Sequence, residues 1–262
     1  MAIAASPRTL PQLMKARFPL PGAAVLLLAL LAFAVSGCKT SPSFAPHASP
    51  RSEQSVKPGI NAEYLKPDLD VAQWVERFER EGREIYDQRE AIVAAARIKP
   101  GAVVADIGAG TGLFTPYFSR AAGPKGKVYA VDIVPAFLDR IKKRAASEGL
   151  INVLAVLCTE RSVELPRNSI DFAFICDVYH HFEYPRSSLA SLHRALRPGG
   201  EVLVVEFKRL PGKSSDWILN HVRAGQEVFI AEIKAAGFEQ IEERAMLKDN
   251  YVVRFRKIRK HG

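Results

Sequence analysis

The sequence predicts an α/β domain with a doubly wound, Rossmann-like sheet of seven strands. Apolar strand segments alternate with helical segments from residue 99 to residue 258, which is the order that β-α-β units produce. The first strand, residues 103–107, runs directly into a turn with three alternating glycines. Strands one, three and four are apolar along their length, as expected for a parallel sheet that is covered on both faces.

The individual elements follow from periodicity and from the glycines and prolines at their ends. An N-terminal helical segment, residues 70–98, contains amphipathic runs at 71–86 and 90–96, and Lys99-Pro100-Gly101 stops it. The further elements predicted are strands at 127–131, 152–157, 170–176, 201–207, 239–244 and 251–256, and helices at 113–120, 135–148, 187–196 and 226–236. Together they form a predicted domain over residues 99–258.

The first 69 residues differ in composition from this domain. Basic residues precede an apolar stretch, residues 21–35, and small residues then precede Cys38. The stretch is shorter than the about 20 residues that a membrane-spanning helix needs, and small residues before a cysteine indicate a cleavage site. We therefore expect a signal peptide over residues 1–38 and a disordered Ser/Pro-rich linker over residues 39–69.

The tetrapeptide Val35-Ser36-Gly37-Cys38 resembles the bacterial lipobox, in which the cysteine is acylated and becomes the first residue of the mature protein. The resemblance implies an exported lipoprotein that faces the periplasm and is anchored to the membrane through lipidated Cys38. Two alternatives stay open: an uncleaved signal anchor, and a cytoplasmic protein whose start codon lies further downstream.

Charge and cysteine content exclude some classes of partner. The formal net charge is +9, and basic residues cluster near the C-terminus: Arg254, Arg256, Lys257, Arg259 and Lys260. Basic termini bind nucleic acid or anionic lipid head groups, but we expect a solvated terminal strand and no nucleic-acid partner. Three cysteines without C-x-x-C spacing argue against a disulfide framework and a cysteine-based metal centre.

The glycine turn predicts a nucleoside site. Gly108, Gly110 and Gly112 let the chain turn tightly and let a ligand approach bare backbone. Asp132 ends the second strand, where a carboxylate can accept both hydroxyl groups of a ribose. In the dinucleotide pattern G-x-G-x-x-G the third glycine position falls on Leu113. Asp106 would also repel a pyrophosphate, whereas it suits a cationic ligand without phosphate, such as S-adenosylmethionine.

At these residues, and at Leu196-Arg197-Pro198-Gly199-Gly200 before the fifth strand, the sequence resembles the class I S-adenosylmethionine-dependent methyltransferases. It looks most like the small-molecule branch, methyltransferase type 11, which includes quinone C-methyltransferases. The resemblance covers about residues 71–256. It implies a mostly parallel seven-stranded sheet with an antiparallel last strand, preceded by N-terminal helices, and it implies S-adenosyl-L-methionine as cofactor with a small-molecule substrate.

The resemblance also implies a set of cofactor-binding residues. Ile133 would pack on the adenine, and Thr159 and Glu160 stand where the family contacts the adenine amino group, although the usual aspartate is absent there. Asp177 would lie near the methionine end, and the helical segment that carries Tyr86 would fold over the cofactor. The full predicted set is Asp106, Gly108, Gly110, Gly112, Asp132, Ile133, Thr159, Glu160, Asp177 and Tyr86.

The catalytic candidates are His181, Glu206 and Arg223. His181 follows the fourth strand and can act as a general base, because the ordinary pKa of histidine is near neutral; a purely structural role is the alternative. His180 and His181 are adjacent, so we expect their side chains to point in different directions and to bind no metal together. No proline pair follows Asp177, which argues against a nucleic-acid base as substrate.

Three functions are compatible with these motifs to different degrees. The intact glycine turn with Asp106 and Asp132 favours an active small-molecule methyltransferase. The export signal favours a catalytically inactive, membrane-tethered binding protein, because the cofactor is made in the cytoplasm. A nicotinamide-dependent oxidoreductase is disfavoured by Leu113 and Asp106.

Overall fold

The computed structural model describes residues 53–258. The predicted signal peptide with Cys38 lies outside the described residues, as do residues 39–52 of the predicted linker. No helix among residues 53–258 combines the length and the apolar character needed to cross a membrane.

The core of the domain is one seven-stranded sheet. Its strands are β1 (Val103–Ile107), β2 (Lys127–Asp132), β3 (Val153–Leu157), β4 (Ile170–Cys176), β5 (Leu196–Phe207), β6 (Phe238–Arg244) and β7 (Asn250–Lys257). The strand order is β3-β2-β1-β4-β5-β7-β6. Strand β7 is antiparallel to both of its neighbours, and the other pairs are parallel. The predicted fold class is therefore confirmed.

Helices cover both faces of the sheet. They are α1 (Val71–Phe78), α2 (Glu84–Asp87), α3 (Arg89–Ala96), α4 (Thr115–Ala122), α5 (Pro135–Ser147), α6 (Pro185–Ala195), α7 (Asp216–His221) and α8 (Gln226–Ala235). The sequence did not predict α7, a short helix that the Ser215 hydroxyl caps by accepting from the Ile218 N–H.

Two predicted elements differ from the structure. The helix expected over residues 71–86 ends at Phe78, because Glu79 leaves the helical conformation with φ of −111° and ψ of 40°. Gly82 then adopts a left-handed conformation with φ of +82°, and the chain turns before α2. Strand β3 is an edge strand, and its Leu154 and Leu157 are about half exposed. The expectation that strand three is covered on both faces is therefore wrong.

Residues 53–69 pack against the domain instead of forming the last part of a disordered linker. The carboxylate of Glu53 accepts from the backbone N–H groups of Arg186 and Ser187, both at 2.8 Å, at the start of α6. Asn61 donates to the carbonyl of His181 at 3.1 Å. The segment contains turns and no helix or strand, so its polar contacts could not be read from periodicity.

Candidate active site

A cavity of about 460 Å³ opens at the carboxyl ends of β1, β2 and β4. In the strand order, β1 lies between β2 and β4. The strand order therefore reverses at β1, and open α/β sheets bind ligands at such a point. We call the part lined by Asp106, Asp132 and Asp177 the carboxylate half. We call the three imidazoles of His180, His181 and His221 the histidine wall, and both line the same cavity.

The glycine turn forms the floor of the carboxylate half. The N–H groups of Gly108 and Ala109 both donate to the carbonyl of Val131, at 2.8 and 3.0 Å, so the turn is tied to the end of β2. A Cβ atom on Gly108 would overlap the side chain of Val178, whereas one on Gly110 would meet nothing closer than 3.8 Å. Gly110 has a φ of +54°, a conformation that side chains resist.

Asp132 connects this turn to the cavity. One of its carboxylate oxygens accepts from the Gly110 N–H at 2.8 Å, and the other accepts from the Val134 N–H at 2.9 Å. Burial raises the pKa of Asp132 to about 6, although these backbone hydrogen bonds act in the opposite direction. Each carboxylate oxygen can accept a second hydrogen bond, so the group can still bind ribose hydroxyls.

Asp106 is a buried carboxyl group whose only hydrogen bond among the described residues comes from the Thr115 hydroxyl, at 2.8 Å. Burial raises the pKa of Asp106 to about 7, and the nearby charge of Asp132 adds to the effect. A buried carboxylate without a cationic partner is unfavourable. The site therefore favours a ligand that brings positive charge.

Asp177 has a cationic partner. Its carboxylate accepts from Arg83 at 2.6 Å and from the Asn250 side chain at 2.6 Å. Burial raises the pKa of Asp177 to about 6 against the opposing effect of Arg83. Arg83 and Asp177 both line the cavity, so an amino-acid group would meet one charge of each sign there.

The other side of the carboxylate half is apolar after β2 and polar after β3. Ile133, Val134 and Phe137 line it after β2, and Thr159 and Glu160 line it after β3. Gly112 lies beyond the cavity lining: a Cβ there would come within 2.7 Å of Ile141 Cγ1, so this glycine permits packing against α5.

The histidine wall begins in the short turn after β4. His180 Nδ1 lies 2.9 Å from both carboxylate oxygens of Glu206, the residue before the last in the neighbouring strand β5. His181 Nε2 lies 3.3 Å from His221 Nε2. Burial, followed by the neighbouring histidines, lowers the pKa of His181 to about 2. Burial first, and then the charge of His180, lowers the pKa of His221 to about 4.

Comparisons with known proteins agree with this geometry. Residues 105–204 match the family model described as "Methyltransferase domain". The chain is 34% identical over 118 residues to the ubiquinone/menaquinone biosynthesis C-methyltransferase UbiE of Burkholderia mallei, a match that covers 45% of this chain and 48% of the relative. The chain thus spans about half the length of the curated relatives it matches.

Two solved structures share the fold. One is a SAM-dependent methyltransferase from Aquifex aeolicus, with 24% identity and a TM-score of 0.65, covering 72% of this chain and 100% of that one. The other is a Haemonchus contortus N-methyltransferase in complex with S-adenosylhomocysteine, with 23% identity and a TM-score of 0.54, covering 68% of this chain and 46% of that one. Residues 105–204 therefore carry a methyltransferase domain, and the two solved structures show that the described chain shares the fold of S-adenosylmethionine-dependent methyltransferases.

The residues of this methyltransferase domain fit its cofactor. Asp106 and Asp132 are buried carboxyl groups that line the cavity, and an ammonium or sulfonium group can stabilise their ionised forms. The open space above Gly110 leaves room for a ligand against the backbone. Eight of the ten predicted cofactor-binding residues line the cavity: Asp106, Gly108, Gly110, Asp132, Ile133, Thr159, Glu160 and Asp177.

Tyr86 and Gly112 do not line the cavity of the methyltransferase domain. The Tyr86 ring instead lies under the guanidinium of Arg89, at 4.3 Å, and packs against the apolar cluster beneath the sheet. Five other residues of the predicted helical segment do line the cavity, namely Arg77, Phe78, Arg80, Ile85 and Arg83, and Arg83 binds Asp177 there. The short α2 helix places it there because the predicted long helix is interrupted.

The three catalytic candidates occupy different places. His181 lines the cavity. Glu206 is fully buried behind His180 and holds that ring without lining the cavity. Arg223 forms a bidentate pair with Glu232, at 2.6 and 2.9 Å, so the structure turns it away from the cavity. The expectation that His180 and His181 point apart is also wrong, since their ring centroids are 4.2 Å from each other.

Sequence reasoning missed an aromatic lining opposite the sheet. Tyr64 lies with its ring edge-on to His181 at 5.2 Å, and Trp217 stacks on His221 at 4.6 Å with an interplanar angle of 18°. Phe78 and Asn61 also line the cavity. The residues come from the segment 53–69, from α1 and from α7, and no motif connects them.

Proposed function

We propose that the chain transfers a methyl group from S-adenosylmethionine to a small, largely apolar molecule that carries an ionisable heteroatom. The single observation that carries this proposal is the continuity of the cavity, in which the carboxylate half and the histidine wall line one space. A cofactor held in the carboxylate half would have its reactive end near the wall. Methyl transfer gains chiefly from such proximity and from a dry pocket.

Different residues of the chain can bind the different groups of the cofactor. Asp132 would accept hydrogen bonds from the ribose, and Ile133 with Phe137 would cover the adenine. Asp106, Arg83 and Asp177 would surround the amino-acid end. When bound, S-adenosylmethionine supplies an activated methyl group on a sulfonium sulfur.

The acceptor is proposed to be flat or aromatic. Tyr64, Phe182, Phe207 and Trp217 line the cavity beside the histidine wall, and clefts of this kind bind apolar small molecules through aromatic side chains and a few polar groups. The resemblance to a quinone C-methyltransferase over residues common to both chains supports such an acceptor. His181 remains the proposed acceptor-side polar contact.

An inactive binding protein is not favoured. The cofactor residues are complete on β1 and β2, and the histidine wall adds buried polar groups that mere retention of the fold does not require. Buried polar groups are costly unless they are satisfied or functional.

We also propose that the chain is an exported lipoprotein anchored through Cys38. The order of basic residues, short apolar stretch, small residues and cysteine supports this location. Acyl labelling and fractionation of wild type and Cys38→Ser in a bacterial host would test it. Label on the wild type alone is expected; a wild type that carries no label and stays in the soluble fraction would exclude the anchor.

Calorimetric titration of the full chain tests the cofactor assignment. S-adenosylmethionine and S-adenosylhomocysteine are expected to bind with micromolar affinity, and NAD far more weakly, because its pyrophosphate would meet Asp106. NAD binding as tight as that of S-adenosylmethionine would contradict the proposal. Turnover is then measured as S-adenosylhomocysteine release with a panel of quinols, phenols and thiols.

A further inference from the structure

We infer that the histidine wall is a metal site: His180, His181 and His221 bind one Zn²⁺ ion whose open coordination position faces the cavity. One ring nitrogen from each of the three residues lies within 4.8 Å of the others. Three of the six histidines of the chain therefore converge at one point. The inference rests on the proposed function only where it concerns the acceptor.

The spacing of the wall suits a tetrahedral ion. Zinc binds imidazole nitrogen at about 2.0–2.1 Å, so two such ligands in a tetrahedron lie about 3.4 Å apart. His181 Nε2 and His221 Nε2 are 3.3 Å apart. The third nitrogen, on His180, lies within 4.8 Å of the other two and would have to move closer to bind the same ion.

The tautomers of the wall agree with this assignment. Glu206 accepts from His180 Nδ1 at 2.9 Å, and a carboxylate can only accept, so Nδ1 carries the hydrogen. In the neutral ring Nε2 then keeps its lone pair, and metal binding would displace the second proton of a charged ring. Metal-binding histidines are commonly held by a carboxylate on the other ring nitrogen in this way. Glu206 is fully buried, and it also accepts from the backbone N–H of Phe207 at 2.8 Å, so its orientation is fixed.

The rings are held in place by packing from three separate segments. Trp217 stacks on His221, Tyr64 contacts His181 edge-on, and Asn61 binds the backbone carbonyl of His181. Among residues 53–258, His181 Nδ1 has no hydrogen-bond partner although it is buried. A metal centre requires ligands that are held rigidly. The alternative, a single N–H···N hydrogen bond between His181 and His221, would not explain why the His180 ring lies beside them.

Three histidines leave one position of a tetrahedral zinc ion open, as in catalytic zinc sites. The three residues line the cavity together with Phe207 and Trp217, so a ligand in that position would lie in the proposed acceptor space. The metal therefore selects acceptors that bind zinc through a thiol or hydroxyl group on an apolar body. Thiolate and oxygen donors are both established zinc ligands.

Titration of the metal-free full chain with Zn²⁺ tests the site. Calorimetry and metal analysis of the dialysed protein are expected to show one ion per chain. Substitution of His221→Gln or His181→Gln should weaken binding at least about 10-fold, and Glu206→Gln should weaken it about 10- to 100-fold, the usual effect of losing a carboxylate behind a ligand. His193→Gln is the matched control, because the His193 ring packs on Phe238 away from the wall, and it should leave zinc binding unchanged.

Loading with Co²⁺ gives an independent readout that does not depend on turnover. A tetrahedral Co²⁺ site should show strong visible absorption in the wild type and in His193→Gln, and benzenethiol should shift that absorption by entering the open position. Absence of stoichiometric Zn²⁺ binding by the folded wild type, or binding unaltered in both His181→Gln and His221→Gln, would overturn the site. An unshifted spectrum would overturn the open position.

Calorimetry with S-adenosylmethionine separates these failures from a failure of the proposed function, since that titration reports on the carboxylate half alone.

Discussion

The two halves of the cavity are assembled in different ways. In the carboxylate half, Asp106 and Gly110 lie within one strand-turn unit, and Asp132 ends the adjacent strand β2. In the histidine wall, the rings come from the turn after β4 and from α7, and Tyr64 and Asn61 support them from the segment 53–69. The part of the carboxylate half around Asp106, Gly110 and Asp132 is built by local sequence. The Asp177 contacts with Arg83 and Asn250 and the histidine wall exist only after distant segments have packed. A variant in one half should therefore leave the other half largely intact.

The largest effect is expected for Gly110→Val. The side chain would point into free space 3.8 Å from Phe78, where the cofactor is proposed to lie, and valine resists the φ of +54°. Binding of S-adenosylmethionine should weaken about 100-fold or more, with a stability loss of about 1–3 kcal/mol. Calorimetry and thermal melting measure the two effects.

Gly149→Val is the matched control for that substitution. Gly149 has a similar φ of +66° and nothing within 4 Å of an added Cβ, so it carries a comparable strain far from the carboxylate half. It should lose stability without losing cofactor affinity. If both variants lost affinity equally, general destabilisation rather than occupied space would explain the result for Gly110.

Asp132→Ala is expected to weaken cofactor binding by about 1–3 kcal/mol, the range for hydrogen bonds to a charged group. The structure adds a second consequence, because the same carboxylate holds the N–H groups of Gly110 and Val134. Thermal stability should fall together with affinity, while Zn²⁺ binding at the histidine wall should stay as in the wild type. Unchanged cofactor affinity in a folded variant would show that Asp132 does not bind the ribose.

The two halves of the cavity also differ in how much of each could be predicted from the sequence alone. The Asp106-to-Gly112 motif and Asp132 are contiguous with strands whose apolar runs are unmistakable, so the strand ends, the turn and the ligand class followed from the sequence. Tyr64 and Trp217 lie in segments without apolar periodicity, and their positions depend on side-chain contacts such as the hydrogen bond between Asn61 and His181. The misplacement of Arg223 has the same cause, since only the fold reveals Glu232 as its partner.

Asp106→Asn should affect stability and affinity in opposite directions. The pKa of Asp106 is raised from 3.8 to about 7 in the folded chain, so the folded state binds more protons than the unfolded state between these values. The contribution of this group to stability therefore decreases as pH rises from about 4 to about 7. The asparagine variant should melt at a higher temperature than the wild type at pH 7.5 in the absence of ligand.

Cofactor affinity should show the converse pH dependence. A bound cation lowers the pKa of Asp106, so S-adenosylmethionine should bind most tightly above pH 7 and more weakly as pH falls through about 7, with Asp132 adding to the decline near its pKa of about 6. In Asp106→Asn the first step should disappear, and affinity at pH 7.5 should fall about 10-fold, at the lower end of the range for charge-assisted bonds. Calorimetry between pH 5 and pH 7.5 measures both; an identical pH profile in wild type and variant would remove Asp106 from cofactor binding.

The smallest effect concerns the segment that supports the histidine wall. Glu53 accepts from the N–H groups of Arg186 and Ser187 and thereby caps α6, a contact whose loss typically costs about 1 kcal/mol. Glu53→Ala should lower the free energy of unfolding by about that amount and increase hydrogen exchange at the Arg186 and Ser187 amides. Gln54→Ala, at an exposed neighbouring position, should change neither.

Because Asn61 and Tyr64 lie on the same segment, Glu53→Ala should also loosen Zn²⁺ binding slightly while leaving S-adenosylmethionine binding unaltered. An equal loss of both affinities would instead mean that the two halves of the cavity are mechanically coupled through the segment 53–69.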